Sequence, residues 1–322
     1  MRFNKLDLNL LVALDAMLTE ASISRAAERL HMSQSAMSNA LARLRDYFDD
    51  ELLVQVGRRM ELTPRAELLR DAVHDVLLRV DTSIATQPEF LPAQSDRDFR
   101  IFISDFTLTT LMPHVLARAH AQAPGVRFSL QPQVEDPARA LERGEVDLLV
   151  MPVDYCSPQH PVENLFIENF SCVAWDRGRY AQAPLTFEQY AAAGHVSVQP
   201  STTQPTSFEG WVVQRYGLTR RDEVTTYSFA SAAGLVVGTD RIATVHSRLA
   251  RHGSRHLPIV VHAPPLAFPE MKQAMQWHKY LDKDPGHRWF REGLRRLAGT
   301  DGMSAVEASA DSASAAGLSP VA

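Results

Sequence analysis

Residues 22–48 have the sequence SISRAAERLHMSQSAMSNALARLRDYF, which predicts two short amphipathic helices joined by a tight turn. Apolar residues recur at helical spacing after Ser22 and again after Ser33. Each serine is a suitable N-cap, because its side-chain oxygen can accept a hydrogen bond from a backbone N–H that the first helical turn leaves free. The connection through His31 and Met32 is short enough for a helix-turn-helix, although it lacks the glycine that is frequent there.

The second predicted helix opens on short polar side chains and carries two arginines one or two turns later. Short donors and acceptors suit the base edges of the major groove, and guanidinium groups can neutralise phosphate. The pattern therefore favours DNA binding, and the alternative is a small helical pair with a solvated polar face. The candidate DNA-contacting residues here are Ser33, Gln34, Ser35, Ser38, Asn39, Arg43 and Arg45.

The composition is that of an ordinary globular protein. The chain has 322 residues, 45% of them hydrophobic and 22% charged, which is enough for two or three packed units. Its net charge is -5, so any nucleic-acid surface must be local. Residues 1–65 contain nine Lys or Arg and nine Asp or Glu. This balance counts against DNA binding, because phosphate neutralisation supplies much of the affinity.

The cysteine content and the hydropathy predict a cytoplasmic protein. Cys156 and Cys172 are the two cysteines and form no CxxC motif, which fits a reducing compartment and two inert thiols. The apolar stretch near the N-terminus is flanked by Asp7 and Asp15 and precedes no small-residue cleavage site, so it is not interpreted as a signal peptide. No other apolar run approaches the roughly 20 residues of a membrane span.

A small hairpin is predicted directly after the helix pair. The segments LLVQVG and MELT alternate in hydropathy around a turn that places Arg58 and Arg59 at the hairpin tip. Arginines at such a tip could reach phosphate or an adjacent minor groove. Together with an amphipathic first helix, these elements predict that residues 1–63 form a winged helix-turn-helix.

A long helix is predicted over residues 64–85. Pro64 is a strong start signal, because proline at the first helical position loses no hydrogen bond that the helix would have made. The apolar stripe consists of Leu69, Val73, Val76, Val80 and Ser83, widened by Leu77 and Ile84. A stripe of this length between two domains favours dimerisation over packing against its own chain. A twofold dimer would present two reading helices about 34 Å apart, or a multiple of it, which predicts a palindromic operator.

The remainder of the chain predicts an α/β domain. Residues 86–98 contain two prolines and are interpreted as a hinge. From Phe99 the strands FRIFIS, VRFSLQP, VDLLVMPV, FSCVAW, HVSVQP, VTTYSF and RIATVHS alternate with helices, which is typical of a parallel sheet that binds ligands at the carboxyl ends of its strands. Two helical stretches are predicted after Met271. Residues 299–322 are rich in Ala, Ser and Gly and predict a disordered tail.

Several motifs resemble those of the LysR-type transcriptional regulators. They are AAERLHMSQSAMSNALARLR, GRRMELTPRA, LMPHVLARAHAQAPGV, LERGEVDLLV and QWHKYLDKDPGHRWFREGL. The resemblance covers residues 1 to about 298. It implies that Gln34, Ser35, Ser38 and Asn39 face bases and that Arg58 lies at the wing tip, with Ser35 replacing a proline that is common in the family.

The resemblance also implies an effector domain and a set of partners. It implies a periplasmic-binding-protein-like fold over residues 99–298, with subdomain I at about 99–163 and 268–298 and subdomain II at about 164–267. The sequences MRFNKLDLNLLVALDAML and WHKYLDKDPGHRWFR resemble the branch of nodulation-gene activators and aromatic-catabolism regulators. The implied partners are double-stranded DNA, a small aromatic or carboxylate effector, a second copy of the chain, a tetramer of such copies, and RNA polymerase.

The resemblance places the effector in the cleft between the two subdomains. Backbone N–H groups that follow the first strand could hold a carboxylate there, but the carboxylate of Asp105 would repel an acid unless it points elsewhere or is protonated. Each aromatic residue is individually better explained as core, and together they favour an aromatic ligand. The candidate effector-binding residues are Ser104, Asp105, Phe106, Thr107, Thr109, Ser201, Thr202, Thr203, Phe208, Tyr227, Phe229, His246 and Phe268.

Other chemistry is not predicted. The sequence contains no GxSxG, SxxK, P-loop or HExxH motif, so we expect neither an enzyme nor a cofactor. His252 and His256 have the spacing of a helical metal-binding pair, but Gly253 and Pro258 argue against a regular helix, so no metal is expected. A redox-sensing protein or a solute-binding protein with an accessory helical domain is the alternative to a regulator. The cysteines have no basic neighbours that would activate a thiol.

Overall fold

The computed structural model describes residues 6–57, 59–80, 89–200, 208–217 and 219–299, and it describes only the backbone of Phe208, Glu209 and Trp211. The chain forms two compact units. The first contains Met1–Pro88 and Glu142–Glu145, and the second contains the rest of the chain. Within the described ranges, no helix is both long and apolar enough to cross a membrane.

The first unit is a helical bundle with a two-stranded wing. Its elements are α1 (Leu8–Glu20), α2 (Ile23–Arg29), α3 (Gln34–Phe48), β1 (Leu53–Val56), β2 (Arg59–Leu62) and α4 (Pro64–Val80). The strands pair in antiparallel register from Leu53 opposite Leu62 to Val56 opposite Arg59. The winged helix-turn-helix that the sequence predicts is therefore present.

Local signals set the helix boundaries of this unit. Ser22 Oγ accepts from the backbone N–H of Arg25 at 3.4 Å, and Ser33 Oγ accepts from that of Ala36 at 3.2 Å. Both predicted N-caps are confirmed. The turn between α2 and α3 reaches the left-handed region at His31, where φ is 53°, so His31 adopts the conformation that glycine usually supplies.

Helix α4 has one buried and one exposed apolar edge. Val73 is buried, and Leu69 and Leu77 pack beside it against the core that α1 contributes. His74 Nδ1 lies 2.8 Å from Asp15 Oδ1 and ties α4 to α1. For these positions the alternative is therefore the one observed, namely packing against the chain itself, because the core of the same unit needs their burial. On the other edge, Leu68 is 81% and Val76 45% exposed.

The second unit contains two five-stranded sheets. Its first half is built from β3 (Asp98–Ile103), α5 (Asp105–Thr110), α6 (Met112–Gln122), β4 (Arg127–Gln131), α7 (Pro137–Glu142), β5 (Leu148–Pro152) and β6 (Val162–Glu168). The chain then enters β7 (Phe170–Trp175), α8 (Phe187–Ala192), β8 (Gly194–Val198), α9 (Phe208–Arg215), β9 (Arg221–Thr226), α10 (Phe229–Ala232), β10 (Arg241–His246), α11 (Ser247–Ser254) and β11 (Ile259–His262). It returns to the first half through β12 (Met271–Trp277) and α12 (Pro285–Ala298).

The sheets have the orders β4-β3-β5-β12-β6 and β11-β7-β10-β8-β9. In the first sheet β3 runs parallel to β4 and β5, and β12 is antiparallel to both of its neighbours. In the second, β8 runs parallel to β9 and β10. Helix α12 covers the first sheet, where the rings of Phe99 and Phe290 lie 4.8 Å apart. The predicted α/β class is confirmed, and the first sheet extends to Glu168.

The segment after Met271 departs from its prediction. Residues 271–277 form a strand in the interior of the first sheet, and only residues 285–298 form a helix. Glutamine, alanine and methionine favour helices in isolation, but pairing with β5 and β6 on both sides overrides that preference.

Two further segments differ from their predictions because of local capping and proline. The sequence TLMPHVLARAHAQAP, residues 110–124, predicts one helix that ends at a proline. The helix begins instead at Met112, with Pro113 in its first turn, and the separate short helix α5 precedes it. The strand predicted to reach Phe229 ends at Thr226, and Ser228 instead caps α10 by accepting from the backbone N–H of Ser231 at 3.1 Å.

Candidate DNA-reading surface and ligand cleft

The N-terminal end of α3 presents a continuous polar surface. All five short polar residues that the sequence singles out there are exposed, namely Ser33, Gln34, Ser35, Ser38 and Asn39. The opposite face of α3 is buried through Met37, Leu41 and Leu44. The helix is thus held by its apolar side, and its polar side remains available for base edges. The hydroxyls of Ser33 and Ser35 lie 3.0 Å apart, so they form a hydrogen-bonded pair.

The two arginines of α3 have different environments. Arg43 is exposed, and its Nη2 lies 3.3 Å from Asp7 Oδ2. Arg45 donates through Nε to the carbonyl oxygen of Glu51 and through Nη2 to that of Leu53, both at 2.8 Å. Arg45 therefore secures the entry to the wing, a role that the sequence reasoning missed because it depends on contacts outside α3.

The wing supplies one described arginine. Arg59 begins β2 and is exposed, and Arg58 lies outside the described residues. Asp50, which the sequence reasoning missed, holds the base of the wing. Its Oδ1 accepts from the hydroxyl of Thr63 at 2.6 Å and from the backbone N–H of Leu52 at 2.7 Å, and these bonds lower the pKa of the Asp50 carboxyl.

A cavity of about 670 Å³ lies at the carboxyl ends of the strands of the second unit. Both sheets contribute to its wall, as expected for a binding site in an α/β fold. The lining side chains of the first half include residues 103–106, 132–138, 151, 152 and 155, and those of the second half include residues 226–229, 231 and 244–246.

Asp105 connects the two halves across this cleft. Its Oδ2 accepts from Ser228 Oγ at 2.7 Å and from the backbone N–H of Ala230 at 3.1 Å. The carboxylate therefore points at the second half. Ser228 and Ala230 were not among the predicted residues, although the S-F-A-S sequence at the start of α10 carries a recognisable N-cap signal.

The floor of the cleft is aromatic. The rings of Phe106 and His246 stack with centroids 4.0 Å apart and planes 4° from parallel, and Phe229 and Phe170 lie at 5.0 and 5.1 Å from the same imidazole. Burial lowers the pKa of His246 to about 3, so the ring is neutral near pH 7. The fold thus brings together three predicted residues that both pack in the core and line the cavity, namely Phe106, Phe229 and His246.

A buried amide lies beside this floor. Gln273 of β12 is 1% exposed and lines the cavity. Its Nε2 donates to Thr107 Oγ1 at 3.2 Å, and the Thr107 hydroxyl lies 3.4 Å from that of Ser104. Thr107 is fully buried and supports Gln273 instead of lining the cavity. Gln273 was missed because its segment was predicted to be helical.

The remaining predicted effector-binding residues differ in whether they line the cavity. Ser104 lines the cavity, and Tyr227 lies at its rim with 82% of its surface exposed. Thr109 and Phe268 do not line it, since Phe268 packs against Phe170 in the core. The structure does not describe Ser201, Thr202 and Thr203, nor the side chain of Phe208.

The charge of the cavity lining is acidic. Asp105, Glu135 and Asp136 contribute to it, whereas no Lys or Arg does so among the described residues. An uncharged ligand would avoid the repulsion that a carboxylate would meet there.

The structure gives no support to redox or metal chemistry in the described residues. Burial and the neighbouring Asp154 raise the pKa of the Cys156 thiol to about 11, which suppresses the reactive thiolate. Cys172 is buried in the second sheet. Contrary to the sequence prediction, α11 is regular through Gly253, but it ends at Ser254, before His256. No group of three metal-ligating side chains occurs in the described part.

Two family models match the chain. Residues 8–67 match the bacterial regulatory helix-turn-helix protein, lysR family, and residues 92–299 match the LysR substrate binding domain. Nodulation protein D of Bradyrhizobium sp. (strain ANU 289) is 42% identical over 91% of this chain and 87% of that protein. Nodulation protein D 1 of Neorhizobium galegae is 43% identical over 97% of this chain and 99% of that protein.

A solved structure is similar to this chain over most of its length. It is the crystal structure of a probable transcriptional regulator from Pseudomonas aeruginosa, which matches with a TM-score of 0.63 and 29% identity over 91% of this chain and 98% of that one. The winged helix-turn-helix and the two-sheet cleft domain correspond to the two family models. The chain belongs to the LysR family and is a ligand-responsive, DNA-binding transcriptional regulator and not an enzyme.

Proposed function

We propose that this regulator senses a small uncharged aromatic effector in the cleft and controls the activity of a promoter in the cytoplasm. The observation that carries the effector class is the lining itself, which combines aromatic rings with three carboxyl side chains and no described cation. A carboxylate effector would have to be desolvated without a positive partner, which is costly. An uncharged aromatic ring can stack on the floor without that cost.

We further propose that the exposed polar end of α3 reads the operator. In this proposal the exposed side chains of α3 contact base edges, and Arg43, Arg58 and Arg59 contact phosphate. Arg45 is left out because its guanidinium is already bonded to the base of the wing. The exposed edge of α4, with Leu68 and Val76, supports a homodimer on a palindromic operator, with a tetramer as the larger assembly.

The coupling between ligand and DNA is proposed to be conformational. An effector that binds both walls of the cleft stabilises a closed form of the second unit. Closure would change how the effector domains pack in the oligomer, and thereby the spacing or bend of the bound DNA and its presentation to RNA polymerase. Residues 86–98 are proposed as the hinge that joins the linker helix to the effector-binding domain.

The reading surface is tested by replacing Ser38 and Asn39 with alanine. Each lost base contact is expected to cost about 1–3 kcal/mol, so the double variant should bind specific DNA at least tenfold more weakly. Gel retardation of the DNA upstream of the chain's own gene, with nonspecific competitor, measures this change. The variant Thr19→Ala, on an exposed position of α1, should retain full retardation. Equal retardation by the double variant and the parent would refute the assignment.

The effector class is tested with salicylate and salicylamide, which differ mainly in charge. The full-length chain should be stabilised by salicylamide more than by salicylate, because at equal concentration the ligand that binds the folded state more tightly raises the melting temperature further. The substitution Asp105→Asn keeps an acceptor for Ser228 and removes one negative charge. It should therefore reduce the difference between the thermal shifts that the two ligands cause. A larger thermal shift with salicylate in the parent protein would contradict the proposal.

A further inference from the structure

Helices α6 and α12 leave an open groove between them, away from the effector cleft. This α6/α12 groove has a volume of about 140 Å³. Val115 and Ala119 of α6 and Phe290 and Leu297 of α12 give it an apolar lining, and all four side chains are buried. Gly293 also lines the groove, and a Cβ atom placed on it would meet no other side chain within 4 Å. The space is therefore open because small residues stand where larger side chains would fill it.

The rim of the groove carries positive charge. Arg118 lines the groove and is half-buried, and its guanidinium forms no hydrogen bond or ion pair with the described residues. Arg296 lines the groove from α12, and its contact with Glu292 is long, at 3.7 Å between Nη2 and Oε2. A half-buried cation without a partner is costly. The groove therefore favours an occupant that combines apolar side chains with negative charge.

The chain itself contains a segment of this chemistry. Residues 300–322 begin just after α12 and lie outside the described residues. Their sequence, TDGMSAVEASADSASAAGLSPVA, contains three Asp or Glu residues and no Lys or Arg. Met303 and Val306 lie between Asp301 and Glu307. Residues 300–322 are too poor in large apolar side chains to form a core of their own, so these two would need a surface of the folded domain for their burial.

We propose that residues 301–307, the tail segment, fold back onto their own domain and place Met303 and Val306 in the α6/α12 groove. Asp301 and Glu307 then lie beside the two rim arginines. Burial of the two apolar side chains removes their surface and that of the groove from water. The acidic side chains supply the charge-assisted hydrogen bonds that the rim lacks.

The length of the chain allows this return. Leu297 lines one part of the groove and Trp289 another, and both belong to α12. Eight residues of helix separate them, which is roughly 12 Å at about 1.5 Å per residue. An extended chain covers about 3.3 Å per residue, so about four residues span the groove. In the proposal residues 300–302 make the turn, and the glycine among them accepts the backbone angles of a tight turn.

The size of the groove favours the tail segment over a second copy of the chain. A stable interface between proteins involves about 20–30 residues on each side, whereas ten of the described residues line this groove. A tethered segment needs a smaller contact, because a short linker keeps it near the groove at an effective concentration in the millimolar range.

Disulfide trapping in the full-length chain tests the position of the tail segment. Met303→Cys is combined with Gly293→Cys in the groove or, in a second protein, with Arg295→Cys, which is exposed and does not line the groove. Position 295 is nearer in sequence, so an undocked tail would react there at least as fast. We expect the 303–293 pair to form its disulfide about tenfold faster, because docking raises the local concentration of the two thiols.

Charge variants separate docking from chance collision. Asp301→Asn combined with Glu307→Gln should slow the 303–293 pair by about two- to fivefold without slowing the 303–295 pair, because the docked form alone uses these charges. Arg118→Gln should have the same effect. Asp311→Asn, outside the tail segment, is the matched control and should change neither rate. Adding salt to about 0.5 M should slow the 303–293 pair in the parent background, since it screens exposed charges.

The products decide between the possible occupants. A non-reducing gel separates disulfides within one chain from those between chains, and mass spectrometry of the linked peptides identifies the cysteines. Equal rates for the two pairs, or a faster 303–295 pair, would overturn the proposal. Disulfides between chains would assign the groove to a second copy and overturn it too. Gln122→Cys, on the α6 side of the groove, repeats the test without a change in α12, and melting curves establish that each variant is folded.

Discussion

Lowering the pH from about 7 to about 5 is expected to reduce the free energy of unfolding of the effector domain by about 6 kcal/mol, or about 2 kcal/mol for each of three buried histidines. This is a large part of the stability of a typical domain. We therefore expect this domain to be partly or completely unfolded at pH 5.

The three histidines are neutral in the folded protein because burial opposes their charge. Burial lowers the pKa of His195 and His287 to about 4 and that of His246 to about 3. The Nε2–H of His195 donates to the Tyr190 carbonyl at 2.8 Å, and that of His287 to the Asp147 carbonyl at 3.0 Å. The folded structure thus holds these rings without a proton on the second nitrogen.

The direction of the effect follows from these shifts. An unfolded histidine titrates near pH 6.5, so below that pH the unfolded state binds protons that the folded state does not. The stabilising contribution is complete above about pH 6.5 and decreases as the pH falls toward 4. Burial raises the pKa of Glu168, which favours the folded state in acid, but it is one group against three.

Urea unfolding followed by tryptophan fluorescence measures this loss selectively. All four tryptophans of the sequence, at positions 175, 211, 277 and 289, belong to the effector domain. His246→Phe should remove about a third of the pH dependence. His252→Gln, at an exposed position, should leave it unchanged. The same unfolding free energy at both pH values would show that these histidines are protonated in the folded protein.

The parts of this fold that sequence predicts well depend on neighbouring residues. Ser22, Ser33 and Pro64 mark helix starts through bonds made or avoided within one turn, so their patterns identify α2, α3 and α4. The buried run at residues 148–152 identifies a parallel strand in the same way. Residues 271–277 have no such local determinant, because they become a strand through pairing with distant segments.

The cleft was only partly predictable for the same reason. Asp105 directly follows the first strand, and this position makes it a candidate from sequence alone, but its partner Ser228 is 123 residues away in sequence. The sequence shows the negative charge of Asp105 and therefore predicts repulsion of an acid. The direction of the side chain depends on contacts with the second half of the domain, and the sequence does not show these contacts. Likewise, Arg45 has the helical position of a phosphate contact, and only the fold of residues 51–53 shows that it is already bonded.

Replacing Arg248 with methionine is expected to destabilise the effector domain by about 3–5 kcal/mol, because it leaves the buried carboxylate of Glu168 without its partner. The side chain of Glu168 is 1% exposed and that of Arg248 7%. Arg248 Nε lies 3.0 Å from Oε2, and the Arg248 backbone N–H donates to Oε1 at 3.0 Å. The guanidinium also lies 4.0 Å from the Phe166 ring centre.

The position of this ion pair makes the loss severe. Glu168 ends β6 of the first sheet, and Arg248 lies in the first turn of α11, directly after β10 of the second. The pair therefore fastens the two halves where the chain crosses between them. For a domain of this size, the loss corresponds to a fall in melting temperature on the order of 10 °C.

Thermal unfolding of the full-length chain, read by tryptophan fluorescence, measures the change. Arg251→Met, at an exposed position of the same helix, is the matched control and should change the melting temperature little. The double variant Glu168→Gln, Arg248→Met removes both charges and should recover much of the loss, since the cost lies in the unpaired charge and not in the lost bond. Similar losses in Arg248→Met and Arg251→Met would contradict the ion-pair account.

The pH dependence of the Arg248→Met deficit gives a second, independent readout. Burial already raises the pKa of Glu168 while Arg248 opposes that rise, so removing Arg248 should raise it further. A carboxyl whose folded pKa is raised is most favourable to folding when it is protonated. The difference in stability between Arg248→Met and the parent should therefore shrink as the pH falls from 7. A deficit that stayed constant with pH would indicate lost packing of the Arg248 stem and not an uncompensated charge.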